Sequence, residues 1–385
     1  MEKWIKQHQK DVSSQSSVLL FVFDNCNFHL NVTKRTSDHK SSYLNLINRF
    51  IVEIFETVEI TAKTLWNNVD RKTFGEWLSS TNDESLEWMN TNWNLFDSRP
   101  ANRPLKFLYA AANHICSFLN KSDIIILPLI FDRETLSYVD VRGIVDEFAQ
   151  IYILPTERVF AFVAGDQQVW IKLFKLRLNF PTEYHWMIPV PGGWHWTWHI
   201  LKGIYRMYYD TIFLPISQIL GFKHLDKNAN NFHYTEDFLE VVTIGIYNWI
   251  VNCIKKIPGR KPSIADWLHS RKGNRRAYEL AYACLHYFIP YWVCRSAIKW
   301  NQADKMEEWW RYWIHLFIAA GKNHYSLLSI RFLWILRSVD VEVKELYDKY
   351  CTLSFSGDLG TGIPADGVVE LVSKSNIMHN MLETT

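Results

Sequence analysis

The chain has 385 residues, 48% of them hydrophobic and 15% aromatic, which is ample for a buried core and excludes a chain disordered throughout. A net charge of +2 singles out no partner, so any argument for one rests on local charge. Six cysteines with no CxxC pair and no zinc-finger spacing exclude a Cys-rich zinc module and read as reduced, mostly buried thiols of an intracellular protein.

The first 17 residues are polar and lack the apolar core of a signal peptide. Residues 18–23, VLLFVF, are apolar and partly β-branched, and they run into Asp24-Asn25; this predicts a strand ending in a polar turn. Residues 41–60 carry Leu44, Ile47, Phe50, Ile51, Ile54 and Phe55 at helical spacing and predict a helix. Residues 61–103 read as irregular and 104–120 as a helix. IIILPLI (124–130) predicts a buried strand followed by Asp132, 139–152 a helix, and VFAFVAG (159–165) a second buried strand delivering Asp166. Continuous apolar strands alternating with helices imply a sheet covered on both faces.

Beyond Asp166 the pattern changes. QQVWIKLFKLRL (167–178) is an amphipathic helix, and the loop PVPGGWHW (189–196) follows. Helical patterns then dominate from 197 to 352: 197–220, 235–256, 263–269, 275–299, 303–320, 323–338 and 341–351. Many of the 18 tryptophans crowd into 186–198 and 292–313, as expected of helices packed through bulky rings. A Gly-rich stretch (356–364) leads to a last amphipathic segment, 365–382. The expected division is a polar segment 1–17, an α/β core 18–188, a helical insertion 189–355, and a closing segment 356–385 that returns to the core. No run of about 18 apolar residues occurs, so no membrane span is expected.

Two strands that each end on an aspartate can bring the carboxylates together at one sheet edge. Asp24 and Asp166 form such a pair, and Glu370 on the last segment would supply a third carboxylate. Clustered carboxylates repel one another unless a hard cation neutralises them, which points to Mg²⁺ or Mn²⁺. Two such ions about 4 Å apart activate a water or hydroxyl and stabilise the leaving oxygen of a phosphodiester. Simpler readings stand beside this one. An Asp before a helix is a natural N-cap, an Asp after a strand a natural turn former, and a Glu on an amphipathic helix an ordinary solvated group. Asp132, after IIILPLI, competes with Asp24 for the catalytic place.

Several segments together carry a family resemblance: VFDNCNF, AGDQQ, PVPGGWHW, NHYSLLSIRFLWIL and GTGIPADGVVELVSK. The chain resembles, over about 18–380, the transposon-derived proteins grouped as the domain of unknown function 6589. The order of these motifs is more specific than any one of them. The resemblance implies a cut-and-paste transposase core: a ribonuclease H-like mixed sheet interrupted by a large all-helical insertion. Asp24, Asp166 and Glu370 would be its catalytic, metal-binding carboxylates. Asp366 lies one helical turn before Glu370 on the same face, and Lys374 one turn after it, placed to meet a phosphate.

His195 is expected to contact DNA, to orient a catalytic group, or to sit as a structural histidine. The acidic or Cys partner that such transposases carry shortly before this His is missing here, since Gly192, Gly193 and Trp194 occupy those places. His195 and His199 have the spacing of a helical metal pair but lack a third ligand. Lys172 and Lys175, and the group Arg271, Lys272, Arg275 and Arg276, are candidates for phosphate-backbone contacts, against the alternative of solvated helix surfaces. DNA is the expected partner, homo-oligomerisation is left open, and the resemblance implies a nuclear location. No DNA-recognition module is recognisable, so the chain reads as a fragment, a relic, or a domesticated core. A non-enzymatic binding module on the same fold is the competing function.

Overall fold

The computed structural model describes residues 17–29, 43–55, 65–79, 124–132, 137–154, 160–354 and 360–368. In chain order its elements are β1 (Ser17–His29), β2 (Tyr43–Phe55), α1 (Arg71–Ser79), β3 (Ile124–Asp132), α2 (Tyr138–Phe148), β4 (Ala161–Gly165), α3 (Gln167–Asn179), β5 (Met187–Pro191) and α4 (Gly193–Tyr208). They continue with α5 (Leu214–Leu220), α6 (Phe232–Lys255), α7 (Ile264–Ser270), α8 (Arg275–Ala283), α9 (Ile289–Lys299), α10 (Ala303–Ala319), α11 (Asn323–Ser338) and α12 (Val341–Tyr350). The short strands β6 (Thr352–Leu353) and β7 (Ile363–Pro364) close the described chain. Single π-helical turns follow α2, α4 and α8.

The chain divides into two compact units. One comprises Met1–Asp70, Phe118–Trp196 and Arg331–Thr385, the other Arg71–Ser117 and Thr197–Ile330. The division expected from sequence put 331–355 with the helical block and 71–117 with the core; the compact units assign both the other way.

The first unit holds a five-stranded sheet in the order β3-β2-β1-β4-β5. β1 pairs antiparallel with β2, and β2 antiparallel with β3. β4 pairs parallel with β1 and with β5. Strands β4 and β5 are buried throughout, the mark of a sheet covered on both faces. Phe21, Ala161, Val163 and Met187 enter one apolar cluster with Val141, Ile144 and Phe148 of α2 and Val169, Leu173 and Leu176 of α3. Phe21 stacks on Phe148 with ring centroids 4.3 Å apart. Phe162, of opposite parity, meets Tyr347 of α12 at 5.9 Å, and Tyr347 meets Phe332 of α11 at 5.5 Å.

The expected helix over 41–60 is the strand β2. The same residues carry a second periodicity, because Leu44, Leu46, Phe50, Val52 and Ile54 alternate at period two. β1 and β3 flank this stretch with full-length ladders, so tertiary pairing overrides a helical pattern of similar strength. The loop expected over 189–196 divides instead into the end of β5 and the start of α4. Within the irregular stretch 61–103, residues 71–79 are helical. The helix expected over 104–120 lies outside the described residues.

The second unit is helical among its described residues and packs through aromatic rings. Trp267, Trp292, Trp310 and Trp313 are fully buried. α6 is long and apolar enough to cross a membrane by length and composition, yet it buries Phe238, Leu239, Val242, Ile246 and Ile250 within the protein. It also carries Glu236, which accepts hydrogen bonds from Arg295 Nε (2.7 Å) and Tyr291 Oη (2.8 Å) in the buried interior. Cys284 and Cys294 are buried free thiols, Cys253 and Cys351 partly buried ones; burial pushes Cys294 up to about 12.

Candidate functional site at the sheet edge

β1 and β4 run in the same direction, and their register pairs Phe23 with Gly165. Asp24 and Asp166 each come one residue later, so the two backbones carry them side by side on adjacent strands, roughly 5 Å apart at the usual strand spacing. The next strand repeats the arrangement: Gly165 pairs with Pro191 of β5, and Gly192 follows. Asp166 and Gly192 therefore follow the ends of β4 and β5, while Asp24, expected from sequence to begin a polar turn after residue 23, lies inside β1, which runs on to His29 and pairs Asp24 with Asn48. Asp132 does end its strand, but β2 separates β3 from β1, so it stands about two strand spacings, roughly 10 Å, from β1 and further still from Asp166.

Asp166 leaves β4 in an extended conformation and starts α3. Its Oδ1 accepts from Val169 N at 2.8 Å, an N-cap that satisfies one of the helix's open donors. The residue is partly exposed at the edge.

Gly192 shows why a glycine stands in PGGWH. Its N–H donates to Gly165 O at 2.7 Å, tying β5 to the end of β4. A β-carbon there would lie 2.3 Å from Asp366 Oδ2 and 3.1 Å from Gly165 O, so only glycine lets the backbone pass. Asp366 arrives from far along the chain. The β6–β7 pair closes the tail segment, helped by the Ser354–Thr361 hydroxyl contact at 2.6 Å, and turns residues 365–368 into a helical turn. Gly367 packs there against Ile363 and Trp194.

Asp366 is 1% exposed, and both its oxygens are engaged. Oδ1 accepts from Trp194 N at 2.9 Å, and Oδ2 from His195 N at 3.0 Å. His195 Nδ1 lies 3.1 Å from Oδ2. The carboxylate thus caps the N-terminus of α4 from another part of the chain, where its charge complements the open N–H groups and the helix dipole. Because a carboxylate only accepts, His195 donates from Nδ1, which leaves Nε2 to accept when the ring is neutral.

No acidic residue directly precedes His195 in sequence, and its ring meets an acidic residue from far along the chain, Asp366, 171 residues later. Sequence reasoning missed this pairing and the role of Gly192. The signal available was the coupling of two small-residue motifs, GG before Trp194 and DG at 366–367, each marking close backbone approach.

The remaining candidates are dispersed. Glu370 and Lys374 lie outside the described residues. Lys172 and Lys175 lie on one face of α3 and line a surface hollow with Gln168, Ile171 and Asn179. Burial holds the Lys172 amine below its ordinary value, opposed by the charges of Asp166 and Asp140. Arg271, Lys272, Arg275 and Arg276 belong to the helical unit. There Arg275 pairs with Glu279 at 2.8 Å, and Arg271 lies over the Trp267 ring. His199 stacks on Tyr325 with centroids 3.9 Å apart.

No group of three His, Cys, Asp or Glu side chains placed to hold a metal occurs among the described residues, whose side chains do not include those of Asp24 or Glu370. Asp366, saturated by three donors, is a poor ligand. Asp166 accepts the cap hydrogen bond through Oδ1 alone. Comparison with protein-family models, curated proteins and solved structures returned no match.

Proposed function

We propose that this chain is a transposon-derived domain of the DDE type that cleaves or joins DNA phosphodiesters with a divalent metal. The observation that carries the reading is the pair Asp24 and Asp166 at neighbouring register on adjacent parallel strands. The sheet order β3-β2-β1-β4-β5, with β2 antiparallel to its neighbours, supports a ribonuclease H-like core, and the motif order supports kinship with the domain of unknown function 6589 proteins. Asp24, Asp166 and Glu370 are the residues that would hold Mg²⁺ or Mn²⁺, and Glu370 follows Asp366 by four residues. Such an ion, when bound, supplies charge neutralisation at the phosphate and lowers the pKa of a coordinated water.

The chain's own groups do the rest. Asp366 fixes the orientation of the His195 ring at the same edge, leaving Nε2 as a proton acceptor or as a donor to a phosphate oxygen. Lys172 and Lys175 extend positive charge along α3 beside Asp166, a track for the DNA backbone. DNA in the nucleus is the proposed setting.

The test is nicking of supercoiled plasmid in Mn²⁺. Wild type should nick, and Asp24→Asn and Asp166→Asn should each abolish it. Cleavage that survives both substitutions would end the proposal. The cap that Asp166 makes to Val169 favours a second reading, a non-enzymatic nucleic-acid- or protein-binding module in which the aspartates serve structure. That reading predicts DNA binding without cleavage in any divalent metal.

A further inference from the structure

We propose that the helical unit carries a phosphate-binding site formed by Lys202, Arg206 and Lys322, where α4 meets the turn between α10 and α11. Trp198, Lys202 and Arg206 recur every fourth residue on one face of α4. Lys202 Nζ rests over the Trp198 ring, 3.9 Å from its centroid. The facing turn is a tight reversal: Gly321 has φ +67°, its N–H donates to Ile318 O at 3.0 Å, and Lys322 N donates to Phe317 O at 2.7 Å. The Arg206 guanidinium lies against this turn, with Nη2 3.6 Å from where a Gly321 β-carbon would stand. Lys322 Nζ lies 3.3 Å from His199 Nδ1. An ammonium only donates, so Nδ1 is the acceptor in this contact.

Three cations are thus gathered at one place, Lys202 and Lys322 half-buried and Arg206 exposed. None of them makes an ion pair with a described carboxylate; Asp226 acts on Lys202 from beyond pairing distance and is engaged with Asn228 N and Asn230 Nδ2. Burial holds the Lys202 and Lys322 amines below their ordinary values, and the charges of Lys202 and Arg206 lower Lys322 further. Folding has therefore set two half-buried amines and an exposed guanidinium close together, a repulsion that a bound anion would relieve. α11 begins one residue after Lys322 and α10 ends at Ala319 in the same turn, so the two opposed helix ends offset each other and the side-chain cations carry the field. A phosphoryl group, with several acceptor oxygens and up to two negative charges, satisfies all of these donors together.

The test uses the full chain in EDTA, so that its outcome does not depend on a metal at Asp24 and Asp166. Two probes are titrated: a fluorescently labelled random-sequence DNA duplex and inorganic pyrophosphate. The variants are Lys322→Gln with Arg206→Gln, Lys202→Gln alone, and Lys322→Arg as the charge-keeping control. Wild type should bind, and each cation removed should weaken binding roughly tenfold. The control should retain binding. Loss of duplex binding with a lower salt dependence, about one unit of slope per cation removed, assigns a nucleic-acid backbone; loss of pyrophosphate binding alone assigns a small phosphate ester. Without ligand, the double variant should melt above wild type because repulsion is relieved, which separates a lost site from a lost fold. Binding of both probes unchanged in the double variant, or no binding of either by wild type, would overturn the proposal.

Discussion

Two buried carboxylates, one in each unit, are held in different ways. In the sheet-bearing unit, Asp366 takes two backbone N–H groups and an imidazole from residues 171 and 172 positions away in the chain. In the helical unit, Glu236 takes a guanidinium and a phenol from residues 59 and 55 positions away. The first is solvated by a helix terminus, a fixed feature of the fold. The second is solvated by two side chains that only packing keeps in place. The contrast separates a unit whose chemistry follows from where backbone ends converge from a unit whose polar groups are enclosed by aromatic rings.

The largest effect should come from breaking the side-chain-solvated pair. Glu236→Ala leaves Arg295 buried and uncompensated and should cost about 3–5 kcal/mol in urea unfolding, whereas replacing both residues with methionine should recover most of the loss. The backbone-solvated site should fail through geometry instead. Gly192→Ala drives a β-carbon into Asp366, which its three donors pin in place, and should cost about 1–3 kcal/mol. A Gly193→Ala change, whose β-carbon would lie 3.1 Å from the Pro364 side chain, should cost less by the same measurement.

The helical unit should also carry its own pH dependence. Burial lowers His286 from 6.5 to about 4, so it is neutral in the folded protein and protonates more readily when unfolded. The unfolded state then binds more protons between these values, and stability should fall as pH drops from about 6.5 to about 4, by roughly 2–3 kcal/mol at most. His286→Phe should flatten that part of the profile in melting temperature against pH; an unchanged profile would place the titration elsewhere.

Much of the architecture was legible from pattern. The strands around 124–130 and 159–165 and the helices of 197–351 were read close to their observed bounds, because each carries one dominant periodicity. β2 was misread because 43–55 satisfies both periods, and the deciding term, pairing with β1 and β3, is non-local. At the candidate site, Asp166 was visible as a strand-end acid; Asp24 was read the same way, yet β1 runs on to His29 and pairs Asp24 with Asn48, and the neighbouring register of the two follows from the parallel pairing of β1 with β4. The His195–Asp366 contact was not legible, since nothing within the PGGWHW stretch names a partner 171 residues away. The basic residues at 271–276 were read as one patch; within it Arg275 forms an exposed pair with Glu279 one turn on. The cation cluster at Lys202, Arg206 and Lys322 has no sequence signature, because a turn between two helices completes it.

Asp166 is where the two accounts of the sheet edge separate, because it caps α3 and is also proposed to hold a metal. Asparagine caps a helix as well as aspartate does, so Asp166→Asn should leave stability nearly unchanged, while Asp166→Ala should cost about 1 kcal/mol. The decisive measurement is Mn²⁺ binding by calorimetry to wild type and Asp166→Asn. The account predicts binding by wild type and none by the asparagine variant at matched stability. Equal binding by the two proteins would place the metal away from Asp166 and contradict the account.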